Sequence, residues 1–302
     1  MVKRLPEDRK PVVIIIQTGD GNGTHLAFGM RKRTKRHRQP YASRCAPGLN
    51  PWQALDRWYA TPLGEEMLET EHGQLGEVLG NLFGYHLLQL GSPAQRAFQD
   101  HSRVSRRLLM DIRGGVCDGE EPGLFRGEAP ALPVRGDSLD VVLLPHVLEF
   151  TSSPHEVLRE VERALVPEGH VVILGFNPLS PWQFWRWTLG WRGRLPWCGR
   201  FYSAARVRDW LALLGFEVTV LRHYFWRLPV QHSGILHRLA FLDRLGRRLW
   251  PILGAGYVLV ARKRVSTLTP IRPRWRPRRA LRPAGVAEPT PRNPTCSTEN
   301  AP

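Results

Sequence analysis

Lysine is missing from the middle of this chain. Residues 51–261 contain none, and their 22 arginines are balanced by 22 acids, so a broad nucleic-acid-binding face on the central region is not indicated. Cysteine is scarce: Cys45, Cys117, Cys198 and Cys296 are scattered, without a C-x-x-C pair or histidine at ligand spacing. Neither a zinc site nor a disulfide framework is indicated, so no metal is expected and a reduced, cytoplasmic protein is. Long apolar runs are also lacking. Val12 to Ile16 is only five residues, too short for a signal-peptide core or for a span of about 20, so no membrane crossing is expected. No internal repeat is visible.

What is present divides the chain in three. The net charge of +16 lies at the ends: residues 1–50 hold 11 Lys/Arg against 3 acids, and residues 262–302 hold 10 against 2. The leader, 1–50, contains GDGNG (Gly19 to Gly23) and RKRTKRHR (Arg31 to Arg38), a composition that suits disorder. Either it is a basic arm that meets nucleic acid or an acidic surface, or translation starts at Met30 or later. The tail, 265–302, is Pro/Arg-rich and reads as extended and disordered; Trp275 either stacks on a base or stays solvated. Between them, 42% hydrophobic residues overall suffice for one sizeable core, expected at 51–264.

Inside 51–264, helical and strand periods alternate. Trp52 to Thr61 and Leu63 to Leu82 have helical spacing, the second with Leu75, Val78, Leu79 and Leu82 on one face. Strand-like runs follow at Tyr85 to Leu90, Arg107 to Met110, Leu139 to Leu144, His170 to Leu174, Glu217 to Arg222 and Tyr257 to Arg262. Helical stretches at Pro154 to Leu165, Ser203 to Leu214 and Ile235 to Leu249 separate them. Apolar strands bounded by helices predict an α/β fold with a mostly parallel sheet covered on both faces.

The most informative stretch is GEAPALPVRGDSLDVVLLPHVLEFTSSPHEVLREVERALVPEGHVVILGF, Gly127 to Phe176. It reads as a loop, an apolar strand, an amphipathic helix, a Pro-Glu-Gly turn at Pro167 to Gly169 and a second buried strand. Val157, Leu158, Val161, Ala164 and Leu165 share one helix face, while Glu156, Arg159, Glu160 and Arg163 point outward. Ser152 or Ser153 is the expected cap ahead of Pro154. The unit is a right-handed βαβ crossing.

This stretch resembles the type 11 group of class I S-adenosylmethionine-dependent methyltransferases. The matching segments are Glu128-Ala129-Pro130-Ala131-Leu132-Pro133, Ser138-Leu139-Asp140-Val141, His146-Val147-Leu148-Glu149 and Pro167-Glu168-Gly169. Their order and spacing match over about 50 residues, and a weaker resemblance runs from Pro51 to Arg264. FGYHLLQLG and GFNPLS are wording shared with an uncharacterised branch of that group. The resemblance implies a Rossmann-like fold with a seven-stranded sheet, divided into N-terminal helices (51–84), a cofactor half (85–175), a Trp/Arg-rich cap (176–202) and a C-terminal half (203–264). It implies S-adenosylmethionine as cofactor.

The resemblance also assigns site residues. YHLLQLGSPAQ falls on the first strand and its loop, where the family has hydrophobic-Asp-hydrophobic-Gly-x-Gly-x-Gly. Gln89 replaces the acid, Gly91 keeps the first glycine, Ser92 follows it, and Pro93 and Gln95 take the other glycine places. Proline removes an N–H and fixes φ near about −65°, so a loop of altered shape is expected. Asp111, 20 residues after Gly91, is the candidate for the ribose hydroxyls, or else opens a surface turn. Glu128 and Ala129 take the adenine positions, with Leu132 and Pro133 as an apolar edge, the alternatives being a surface-loop acid for Glu128 and plain core packing for Leu132 and Pro133. Pro145 and His146 leave the carboxyl edge of the sheet, where open α/β folds bind ligands. His146 and Glu149 are candidate catalytic groups, the alternatives being a packed histidine and a helix start.

A sulfonium makes its methyl group electrophilic without help, so transfer needs mainly in-line positioning, with a base only for an acidic acceptor. The acceptor is expected to meet GFNPLSPWQFWRWTLGWRGRLPWCGRFYS, where Trp182, Trp185 and Tyr202 are candidate cap residues and His223 and Tyr224 candidate neighbours. This segment is a stacking cap, an amphipathic patch for a membrane or partner, or a lid burying its tryptophans. Two function classes follow: a methyltransferase of unidentified acceptor, or a non-catalytic methyltransferase-like module that binds a partner or nucleic acid through its tails and cap.

Overall fold

Seven strands form one sheet in the order β3-β2-β1-β4-β5-β7-β6. They are β1 (His86–Gly91), β2 (Arg106–Asp111), β3 (Leu124–Arg126), β4 (Leu139–Pro145), β5 (Leu165–Phe176), β6 (Phe216–Tyr224) and β7 (Gly256–Lys263). The computed structural model describes residues 50–112, 123–189 and 196–265. The expected basic leader before Asn50, the tail beyond Val265 and Trp191, Arg192 and Arg194 of the cap lie outside them.

Strands β1 to β5 run parallel, and β7 is antiparallel to both β5 and β6. The sheet is therefore mixed at one end. Because β4 is buried along nearly its whole length, alternate residues serve both faces. Val142 and Leu144 join Leu88, Leu90, Ile173, Val157, Val161, Val207 and Leu211 on one side. Val141 and Leu143 join Leu87, Val172, Leu63, Met67, Leu75 and Leu79 on the other.

Eight helices among the described residues cover these faces: α1 (Pro51–Tyr59), α2 (Pro62–Leu79), α3 (Val147–Phe150), α4 (Pro154–Ala164), α5 (Trp182–Leu189), α6 (Ala204–Leu213), α7 (Ser233–Arg238) and α8 (Phe241–Leu249). Local chemistry sets their starts. Asn50 accepts from the Trp52 N–H ahead of Pro51, and Thr61 from the Gly64 N–H ahead of Pro62, so both helices begin with a capped proline. On α4 the expected apolar face is buried, and Glu160 pairs with Arg163 at 2.9 Å.

Several expectations are corrected. Ser153 occupies the N-cap of α4, but its hydroxyl makes no capping bond. The expected helix Ile235 to Leu249 is two, α7 and α8, with Leu239 and Ala240 between. β3 has only three half-buried residues, too few for a period-2 signal. β5 starts five residues before His170, taking in the Pro-Glu-Gly turn, where Glu168 has φ 63°. Cys198 is buried and disulfide-bonded, a pairing that sequence spacing does not signal.

Candidate active site

The strand order reverses between β1 and β4: β2 and β3 extend from one side, β5 from the other. A crevice at the carboxyl ends of such strands is where open α/β sheets bind ligands. Gly91 ends β1 in register with Asp111, which ends β2. A Cβ on Gly91 would lie 3.5 Å from Pro145, the last residue of β4. Gln89, Gly91, Ser92, Asp111, Pro145 and His146 are thus gathered at one edge.

After Gly91 the chain enters a 3-10 helix, Pro93–Gln99. Ser92 is its N-cap: the hydroxyl accepts from the Ala94 N–H at 3.2 Å, and the Gln95 side chain reaches back to the Ser92 N–H at 3.3 Å. Pro93 sits at the first helical position, where no N–H is needed. Side-chain capping thus sets the loop shape in place of the second and third glycines. Gln95 Oε1 would lie 2.6 Å from a Cβ on residue 91, so a larger residue there would push the Gln95 side chain out of its capping position. Ser92 also donates to Asp56 of α1 at 2.6 Å, and Gln89 Nε2 donates to the Gln95 carbonyl at 2.8 Å. Gln89 Oε1 and Gln95 Nε2 are buried without a hydrogen-bond partner among the described residues.

Of the other expected cofactor residues, Asp111 ends β2 and Glu128 follows the carboxyl end of β3, whereas Leu132 is held by the last turns of α4, away from that edge. Asp111 is 1% exposed, with Arg126 Nε 3.7 Å from its carboxylate. Glu128 is exposed and bridges to Ala131, while Ala129 is buried. Leu132 packs in the core, its N–H donating to Glu160 and its carbonyl accepting from Arg163.

His146 lies beneath this edge, fully buried and with φ 53°. A left-handed conformation is uncommon outside glycine and persists when surroundings fix it. Here two carboxylates do so: Nε2 meets Glu71 at 2.8 Å and Nδ1 meets Glu149 at 3.4 Å, while the ring stacks on Phe176 at 4.1 Å. Burial alone would lower its pKa, but Glu71 and Glu149 outweigh it and raise the value from 6.5 to about 10. His146 is therefore an imidazolium at neutral pH. Glu71 also accepts from the Tyr59 hydroxyl at 2.8 Å and the Tyr224 hydroxyl at 3.2 Å. Burial, then the Glu71 charge, pushes both phenols well above 10. Glu149 accepts in addition from the Phe176 N–H at 2.8 Å.

The network joins α2 to the ends of β4 and β5, and its hub is absent from the sequence reading. The signal was there: Leu63, Met67, Glu71 and Leu75 recur every four residues, so Glu71 is an acid within an apolar stripe. The capping box was legible too, since Ser92-x-x-Gln95 has its spacing.

The cap residues separate. Trp182 is 1% exposed among Trp58, Phe176, Trp197 and Phe225, with Nε1 donating to the Arg227 carbonyl at 2.9 Å. Tyr202 is buried in the opposite cluster against Trp210. Trp185 is half-buried, His223 is half-buried with a pKa lowered by burial, and Tyr224 belongs to the Glu71 network. Among the described residues no group of His, Cys, Asp and Glu could hold a metal ion.

Residues 110–173 match the family described as a methyltransferase domain. The uncharacterized protein YafS of Escherichia coli K12 is 31% identical over 219 residues, covering 72% of this chain and 84% of YafS. The chain belongs to the type 11 group of class I S-adenosylmethionine-dependent methyltransferases. A demethylmenaquinone methyltransferase of Chlamydia pneumoniae is 28% identical over 140 residues, 42% of this chain and 60% of that protein. An S-adenosylmethionine-dependent methyltransferase of Thermotoga maritima shares the fold, with TM-score 0.50 at 17% identity over 71% of this chain and 100% of that one. As a methyltransferase the protein uses S-adenosylmethionine as its cofactor, and the β1 loop is where this member departs from the family wording.

Proposed function

We propose that this methyltransferase grips its cofactor through the capped β1 loop and transfers the methyl group to an acceptor that arrives already unprotonated. The observation that carries this reading is the donor set beside Gly91. Gln89 Oε1 is a buried acceptor and Gln95 Nε2 a buried donor, both without partners among the described residues. Such groups cost about 1–3 kcal/mol each when left unmade. An acceptor suits the ammonium and a donor the carboxylate of a methionyl group, so the residues fit the cofactor although Gln89 carries no charge. Asp111 would accept from the ribose hydroxyls, and Glu128 and Ala129 would meet the adenine edge.

When bound, S-adenosylmethionine supplies an electrophilic methyl group on a sulfonium. His146 contributes no base, because both ring nitrogens are engaged by carboxylates and the ring stays protonated through neutral pH. Its part is to hold the end of β4, and with it Pro145, in place. Positioning then supplies the rate enhancement.

A second reading, a non-catalytic module, draws support from the Gln95 side chain, which fills the space over Gly91. Calorimetric titration with S-adenosylmethionine and S-adenosylhomocysteine tests both. Absence of binding at millimolar ligand overturns the enzyme reading. Gln89→Leu should weaken binding at least ~10-fold, and an unchanged affinity would remove the loop from the cofactor site.

A further inference from the structure

Helix α8 is mounted inside out. A surface helix of a globular protein normally buries its apolar stripe and exposes its polar one. Here the polar edge is the anchored one. Asp243 accepts from the Trp226 N–H at 2.8 Å and from Arg227 Nε at 2.7 Å, and Arg227 in turn donates to Glu66 of α2 at 2.6 Å. Gly246 lies against the Trp226 ring, where a Cβ would come within 2.4 Å. The apolar stripe faces away: Phe241, Leu245 and Leu249, each four residues apart, are between 41% and 58% exposed, as are Trp250 and Ile252 just beyond.

Charge identifies what such a face fits. Residues 225–255 contain five arginines and a single acid, Asp243. That acid is turned inward onto Trp226 and Arg227, and Arg227 is itself paired. Arg244, Arg247 and Arg248 are exposed alongside the apolar stripe, with Arg238 on α7 close behind in sequence. Aromatic and aliphatic side chains beside arginines, on a helix too short and too charged to span a bilayer, are the composition of an interfacial helix lying at an anionic lipid surface.

The placement is also informative. Because β7 is antiparallel to both neighbours, β6 runs parallel to β5. The segment between Tyr224 and Gly256 therefore leaves the sheet at the same edge as Gly91, Asp111 and Pro145. We propose that the chain docks on anionic lipid bilayers through the outer face of α8, with Trp250 and Ile252 inserted beside it. Docking would bring the active edge to the membrane and favour an amphiphilic acceptor. That consequence rests on the methyltransferase reading; docking itself does not.

The test is co-sedimentation of the full-length chain, without cofactor, with vesicles of phosphatidylglycerol and phosphatidylcholine in equal parts and with phosphatidylcholine alone. Binding is expected to the first and to be weaker to the second. Phe241→Ser/Leu245→Ser should lower the partition at least ~10-fold, and Arg244→Glu and Arg248→Glu about fivefold each. All these positions are exposed, so thermal unfolding should be unchanged; if the double serine variant unfolds, Trp250→Ser/Ile252→Ser carries the same test. No sedimentation of the wild type overturns the proposal. So does undiminished binding of the folded α8 variants, which would assign the lipid contact to the basic ends. Equal binding to both vesicle types overturns the anionic preference. A concentration-dependent dimer abolished by Phe241→Ser/Leu245→Ser would make a second copy the occupant instead. Failure of cofactor titration would leave vesicle binding intact, so the two readings fail separately.

Discussion

Glu71→Gln is the substitution that most directly probes the buried centre. It keeps the side-chain shape but replaces a fully buried carboxylate that accepts from His146, Tyr59 and Tyr224. The imidazolium is left with Glu149 at 3.4 Å. Breaking a buried ion pair by removing one partner costs about 3–5 kcal/mol, which for a domain of this size lowers the unfolding midpoint by roughly 6–20 °C. The pH dependence gives an independent signature. His146 has a folded pKa of about 10 against 6.5 ordinarily, so its contribution is complete below about pH 6.5 and is lost as pH rises through about 10. The phenols of Tyr59, Tyr224 and Tyr257 are pushed well above 10 by burial and do not contribute in that window. Urea unfolding followed by circular dichroism between pH 6 and pH 10 should show wild-type stability declining with pH, and Glu71→Gln weaker throughout with its decline shifted to lower pH. A wild-type curve flat from pH 6.5 to 10, or a cost below ~1 kcal/mol for Glu71→Gln, would refute the charged network.

Three further outcomes are expected. Asp111→Asn should weaken S-adenosylmethionine binding at least ~10-fold by calorimetry, through lost charge-assisted hydrogen bonds. Gly175→Ala should destabilise by at least ~2 kcal/mol in urea, because its Cβ would lie 2.5 Å from the Tyr257 ring that packs over that strand position. Ser92→Ala should cost about 0.5–2 kcal/mol as a lost helix cap and weaken cofactor binding, since the same hydroxyl holds the loop to Asp56.

The sheet was legible because β1, β4, β5 and β7 are buried on both faces, which writes near-continuous apolar runs into the sequence. β3 was not, having three half-buried residues and no period to read. The gathering of Gly91 and Asp111 follows from strand register, and family wording gave their positions without geometry. The shape of the β1 loop was half legible: Pro93 and Gln95 at the lost glycine places excluded the ordinary glycine turn, but did not show that the Ser92 and Gln95 side chains cap a 3-10 helix there. Trp182 and Tyr202, neighbours in one aromatic-rich stretch, belong to opposite clusters: Trp197 and Phe201 stay with Trp182, and the adjacent Tyr202 joins the other. Glu71 was legible as an acid in an apolar stripe, but its partners His146 and Tyr224, 75 and 153 residues away, lie beyond any local pattern.

Those separations matter for a chain made from its N-terminus. Helix α2 is complete long before His146 exists, and until then the acid in its apolar stripe has the Tyr59 hydroxyl but no cation. That acid discourages α2 from docking firmly on a half-made sheet. Even after His146 emerges, Tyr224 is 78 residues further on, roughly 4–16 s at ordinary synthesis rates. Burying the α2 stripe against a partial sheet would leave Glu71 without its cation, a cost of about 3–5 kcal/mol that falls away only once His146 is in place.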